Sequence, residues 1–352
     1  MAIPNHRRAL TWLTNVFALA CFGLAVPALS WSQPPAPAAP FREMPPVALS
    51  PGTESVQSRP VVVRSACDPD YTVVSTRCCK NQVECGQPCN YQVYRFDGST
   101  CGRGSSLDEL YASFQPGVPV CFMVHGSYVD WDSMLRDCAC TYRWLRQAAP
   151  QQPIHIVFFT WPSDDTPRLM PALELNNLGR RASLNALYLA ELISRVPADH
   201  PISLIGHSHG ARMVSAAVHA LAGGRVEGRC YSGSPDPGHR IRVVLAAAAI
   251  DHDWFNPGGR FDLTLRRAEA VLNLQSRHDL LLLLYPTRRP FSRSALAITG
   301  VTRRDRSQLG EQNCRIDDFD VTSLVGTGHV WPHYYRQPDI ASAIRHYVYF
   351  DE

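Results

Sequence analysis

The sequence predicts an α/β protein, a mostly parallel, doubly wound sheet with helices on both faces. Two observations carry that expectation. From about residue 106 onward, short apolar runs alternate with helix-like stretches, the pattern of parallel strands joined by helical crossovers. One of those runs, "PISLI", leads into Gly206-His207-Ser208-His209-Gly210 and then into the small-residue stretch "ARMVSAAVHAL", so a serine sits between glycines at a strand-to-helix junction. A third observation marks off what comes before: six cysteines, Cys67, Cys78, Cys79, Cys85, Cys89 and Cys101, crowd into one short region.

The strand candidates are "VPVCFMV" (118–124), "IHIVFFT" (154–160), "ISLI" (202–205), "IRVVLAAAAI" (241–250), "EAVLNLQ" (269–275) and "DFDVTSLV" (318–325). Helical stretches between and after them include 178–195, 211–221 and 340–349. In the cysteine-rich region "YQVYRF" (91–96) reads as one more strand. Ligands of an open parallel sheet bind at the carboxyl ends of its strands. Those ends carry His125-Gly126-Ser127, Trp161-Pro162, the GHSHG junction, Asp251 and Asp253, the stretch Ser276 to Asp279, and Gly328-His329.

Composition fits a folded chain. Of 352 residues, 45% are hydrophobic and 18% charged, enough apolar surface for a large core. A net charge of +3, spread over arginines with Lys80 the only lysine, gives no basic run for a nucleic acid to bind. Neither HExxH nor a glycine-rich phosphate loop occurs, so no metal and no cofactor are expected.

Four parts follow. Residues 1–30 place His6-Arg7-Arg8 before an apolar stretch ending in "PALSWSQ", the layout of a signal peptide or a membrane anchor. Cys21 in "FALAC" is a weak match to a lipid-attachment site. Each reading exports the remainder to a periplasmic, secreted or envelope-anchored location, with membrane association through this segment. Residues 31–60 are a proline-rich linker. In 61–105 the cysteines read as a disulfide-stapled segment and not as a zinc site, because paired CxxC spacing is missing. Loss of Cys21 with a signal leaves an odd number, and Cys121, inside an apolar strand, is the candidate for a buried thiol. Residues 106–352, with their alternating strand and helix pattern, form the α/β domain.

GxSxG between strand and helix is a nucleophile elbow. The serine needs a strained backbone, Gly206 and Gly210 relieve the resulting clashes, and the helix N-terminus beneath offers N–H groups to an oxyanion. With the HG loop before it and an acid and a histidine after it, this stretch resembles the α/β-hydrolase superfamily. The segments "FMVHGSYVDWDSML", "VFFTWPSDD", "ISLIGHSHGARMV", "LAAAAIDHDWF" and "LNLQSRHDLLLLL" are most similar to a bacterial group of hydrolases of unknown function. The similarity leaves out the linker and the cysteine-rich region, and it differs at His209, where methionine is more usual.

The resemblance implies Ser208 as nucleophile, His329 as general base and Asp279 as the acid orienting it. The backbone N–H groups of His209 and Ser127 would form the oxyanion hole. His333 is the rival base, Asp251 and Asp253 the rival acids. His125 is expected to shape its turn without proton transfer, Trp161 to line the pocket, and the run 280–284 to be a buried helix turn or an acyl pocket. Lid candidates are 166–177 and 287–310. The implied activity is a serine hydrolase acting on a small-molecule or lipid-like ester through an acyl-enzyme. Thioesterase, peptidase, acyltransferase and non-catalytic surface-binding readings stay open on the same fold.

Overall fold

A computed structural model describes residues 70–79, 88–98, 102–164, 171–288 and 291–351. Its main sheet has nine strands in the order β11-β10-β9-β6-β4-β5-β1-β2-β3. The central strands are β4 (Val120–Val124), β5 (His155–Thr160), β6 (Ile202–His207) and β9 (Ile241–Ala246). β4, β6 and β9 are buried along their whole length, which is why they read as unbroken apolar runs with no alternation. Outward from β9 follow β10 (Ala270–Gln275) and β11 (Ile316–Asp320), both parallel to it in direction.

On the other side the sheet continues into the cysteine-rich stretch. β1 (Asp70–Ser75) pairs in parallel with β5, Thr72 opposite Val157, and β2 (Gln92–Asp97) and β3 (Arg103–Ser105) add antiparallel strands. The sheet therefore does not begin at residue 106, where the change in sequence pattern puts the domain boundary. β1 was not legible as a strand, because "DYTVVS" lies in a window dominated by polar residues and cysteines. Cys79 and Cys89 form a disulfide. Cys67, Cys85 and Cys101 fall outside the described residues, as do the signal and linker expectations. Cys121 is fully buried, and burial pushes its thiol up to about 12.

Connection hand fixes which helix lies on which face. From β4 the chain passes through α2 (Trp131–Ala148) to β5 on one side, then through α3 (Pro171–Ser194) back across to β6 on the other. Right-handed crossovers in opposite directions put α2 and α3 on opposite faces. The helix α4 (His209–Leu221) packs on α3, and the C-terminal α5 (Pro338–Tyr349) packs on α2, where Tyr349 donates to the carbonyl of Leu145. The short helix α1 (Leu107–Ala112) leads into β4, its N-cap Ser106 accepting from the amide of Glu109. The sheet is thus mostly parallel and doubly wound as expected, with β6, the strand that leads into Ser208, between β4 on one side and β9 and β10 on the other. The crevice where winding reverses lies between the ends of β4 and β6.

Among the differences from the sequence expectation are two strand ends and both lid candidates. The last strand ends at Asp320, whose carboxylate accepts from the amide of Thr322, and Thr322–Val325 is a helical turn. β9 stops at Ala246, and Ala247 takes a positive φ of 47° that turns the chain. The stretch 287–310 is largely folded: Leu296–Thr299 and Arg303–Leu309 are helical, and the amide of Ser276 donates to Ala297. Of the other lid candidate, residues 171–177 belong to α3 and the rest is not described.

Glycine is required where β6 turns into α4. A Cβ on Gly206 would lie 2.6 Å from the backbone of Ala211, and one on Gly210 would lie 2.2 Å from the carbonyl oxygen of Val124. Neither neighbour is a side-chain end that could swing away. Gly210→Ala is therefore expected to lower the unfolding free energy by about 3 kcal/mol, read as a shift in urea midpoint, whereas unchanged stability would mean that β4 and α4 are not in this contact.

Candidate active site

Ser208 closes the turn from β6 to α4 with φ 55° and ψ −118°, a conformation that costs a non-glycine residue energy. Its amide donates to the carbonyl of Ala246, which pins the strained residue to the neighbouring strand. The serine is buried to within 6% and its hydroxyl faces His329. Oγ lies 3.0 Å from His329 Nε2, and His329 Nδ1 lies 2.7 Å from Asp279 Oδ2.

Asp279 is wholly buried at the end of β10. Its second oxygen, Oδ1, accepts from the amides of Leu281 and Leu282, so the residue both N-caps a short helix (Leu280–Leu283) and faces His329. With a carboxylate against Nδ1, the imidazole proton belongs on Nδ1, leaving Nε2 to accept the serine proton. These three residues are the ones the resemblance implied.

The rivals are occupied elsewhere. Asp251 is buried in an ion pair with Arg288 and accepts from the hydroxyl of Tyr285. Asp253 lies 3.6 Å from Arg293. His333 is exposed one turn further on and has no place in the line.

His207 holds the backbone of His329 in place, a role the sequence reading missed although the residue stands inside GHSHG. Its Nε2 donates to the backbone carbonyl of His329 at 2.7 Å, and its ring packs against Trp331 and Tyr334. The available signal was its position as the last residue of a strand leading into the serine. The HG loop closes the other side. A Cβ on Gly126 would stand 3.0 Å from that of Ser208, so this glycine permits the loop to lie against the serine. Ser127 and His209 are brought together as well, with Ser127 Oγ 2.6 Å from His209 Nδ1. His209 heads α4, where first-turn amides have no partner within the helix.

His125 acts as expected on its turn: Nδ1 meets the carbonyl of Gly126 at 2.8 Å and Nε2 meets the Thr160 hydroxyl at 2.8 Å. Trp161 is fully buried and so does not line a pocket; its indole N–H donates to the carbonyl of His125. The run 280–284 is neither a buried turn nor a closed pocket, since only Leu282 is buried while Leu280, Leu281, Leu283 and Leu284 are exposed. Val330, next to His329, is exposed too.

No family model matches the chain, and no curated protein does. Among solved structures, the crystal structure of Zea mays acyl-protein thioesterase 2 is similar at 15% identity and a TM-score of 0.35, over 66% of this chain and 97% of that one. At that TM-score the likeness carries no argument, and the site is read from its own geometry.

Burial lowers the pKa of His125 and of His207 to about 3 and that of His209 well below its usual value, so all three are neutral in the folded protein. In the unfolded chain each would protonate near 6.5. Between about pH 6.5 and 3 the unfolded state thus binds more protons, and stability falls as pH falls, by up to about 1.4 kcal/mol per unit for each histidine. Urea midpoints are expected to drop from about pH 7 to about pH 5, and His207→Gln to flatten that slope. A midpoint constant over this interval would contradict neutral burial.

Proposed function

We propose that the chain is a serine hydrolase that cleaves carboxylic esters through an acyl-enzyme. The observation that carries the reading is the unbroken hydrogen-bond line from Ser208 through His329 to Asp279, at 3.0 and 2.7 Å. Ser208 Oγ attacks the ester carbonyl carbon as its proton passes to His329 Nε2. The imidazolium is stabilised by Asp279, and the negative oxygen is taken by the N–H groups of His209 and Ser127. Collapse breaks the bond to the alcohol, which leaves with the proton from Nε2. A water molecule, deprotonated by the same nitrogen, then attacks the acyl carbon and releases Ser208.

The exposed leucines beside Asp279 and Val330 beside His329 support an acyl group or other apolar part on the substrate, because both flank the triad in the chain. The Cys79–Cys89 disulfide supports an oxidising compartment and, with the N-terminal layout, export. Among the described residues no helix is long and apolar enough to cross a membrane. Thioesters present the same carbonyl with a better leaving group, so they belong in the substrate panel.

Fluorophosphonate labelling and turnover of short- and long-acyl nitrophenyl esters and thioesters test the reading. Ser208→Ala is expected to abolish both. Asp279→Asn is expected to lower kcat by roughly a thousandfold or more while leaving the fold intact, because the asparagine no longer holds the imidazole in the right tautomer. Equal labelling of wild type and Ser208→Ala would end the hydrolase reading.

A further inference from the structure

The loop that carries the Ser127 amide is held from outside the strand ends, by a residue of the cysteine-rich stretch. Arg77 begins the 3-10 turn Arg77–Cys79 just after β1, and Cys79 at its end is bound to Cys89. The turn is tied down on both sides. The amide of Thr76 donates to the carbonyl of Thr160, the Thr76 hydroxyl donates to Asn185, and the Cys79 amide donates back to Thr76. From this base the half-buried guanidinium makes three separate contacts. Nε donates to the Thr160 hydroxyl at 2.8 Å, one terminal nitrogen donates to the carbonyl of Val129 at 2.7 Å, and the other pairs with Asp164 at 2.8 Å.

These contacts reach the loop at both ends. Val129 closes the HG loop, and its carbonyl also accepts from the hydroxyl of Ser163. Thr160 touches the loop at its start, through His125. The direction of each bond there is fixed. His125 is neutral and its Nδ1 faces a carbonyl, which can only accept, so the proton is on Nδ1. Nε2 must then accept from Thr160, whose one hydroxyl proton is committed to it, and the hydroxyl oxygen accepts from Arg77. The result is a one-way chain from Arg77 through Thr160 and His125 to the carbonyl of Gly126, the peptide group whose N–H is that of Ser127.

We propose that Arg77 is a positioning residue for the hydrolase reaction, fixing the orientation of the Gly126–Ser127 peptide and so of the oxyanion-hole N–H of Ser127. The proposal rests on the hydrolase reading above. Arg77 does not touch the reacting atoms; it acts through Thr160, His125 and Val129. Asp164 neutralises its charge at the loop, which leaves the guanidinium's planar set of donors, and not its charge alone, as what the site requires. A lysine in its place has a single nitrogen, which keeps the charge for Asp164 and does not span Thr160 and Val129 together.

The test is the second-order rate of fluorophosphonate labelling at Ser208 in the full chain, for wild type, Arg77→Gln and Arg77→Lys, beside thermal melting of each and kcat and KM on a nitrophenyl ester. Phosphonylation, like acylation, develops negative charge on an oxygen in the hole, so it needs no knowledge of the natural substrate. Arg77→Gln is expected to label roughly a hundredfold more slowly, the cost of a misplaced catalytic group, with kcat reduced in step, KM little changed and labelling still complete at long times. Labelling at the wild-type rate would overturn the proposal, as would a loss that equals the unfolded fraction. If Arg77→Gln does not fold, Arg77→Lys decides: slower labelling with native melting supports the proposal, and wild-type labelling overturns it. A wild type that never labels removes the hydrolase reading and this inference together, whereas a wild type that labels beside an unaffected Arg77→Gln removes only the inference.

Discussion

The site depends on one close approach, that of the first turn of α4 to the end of β4. Gly210 lies so near the carbonyls of Val124 and His125 that no other residue fits. That contact brings the HG loop against Ser208, and the strained turn at Ser208 accompanies the close approach of the helix to the sheet. Strain of this kind persists only where surrounding structure over-determines it. Here the amide of Ser208 is held by Ala246 and its carbonyl caps the amide of Ala211. Rigid elements, and not the loop itself, thus fix the reactive hydroxyl.

Around the serine the histidines divide by what their nitrogens face. His125 and His207 each meet a backbone carbonyl, Gly126 and His329 respectively, and burial keeps them neutral. Each then serves as a fixed donor that orients backbone. Only His329 faces a carboxylate on one side and a hydroxyl on the other. That placement leaves one ring nitrogen free to face the serine while the other is held by the carboxylate. One residue type therefore fills structural and chemical roles within a few ångströms, and acceptor chemistry separates them.

The cysteine-rich stretch belongs to the same sheet, through the pairing of β1 with β5. β5 also supplies Thr160, the meeting point of Arg77, Thr76 and His125. The turn that ends at Cys79, bound by a disulfide to Cys89, is joined through Arg77 to Thr160 and Val129 and so to the loop beside Ser208.

The elbow turn and the central strands were legible in the sequence because each is a local pattern, and Ser208, Asp279 and His329 stood out there as residues just past strand ends. An apolar run buried on both faces, a serine between required glycines, and an acid or histidine just past a strand end are all visible in short windows. Asp279 and Asp251 both follow a strand end, and it was the resemblance that ranked Asp279 first. Whatever depends on distant partners was legible only in three dimensions: that Asp251 answers Arg288, that His207 carries the His329 loop, that Trp161 is buried, and that Leu280 to Leu284 are mostly exposed. The same holds for the pairing of β1 with β5 and for the bond from Arg77 to Val129, which join residues more than fifty positions apart along the chain. A hydrogen bond between such residues leaves no periodicity behind, since its geometry is set by how strands order themselves in the sheet and not by spacing along the chain.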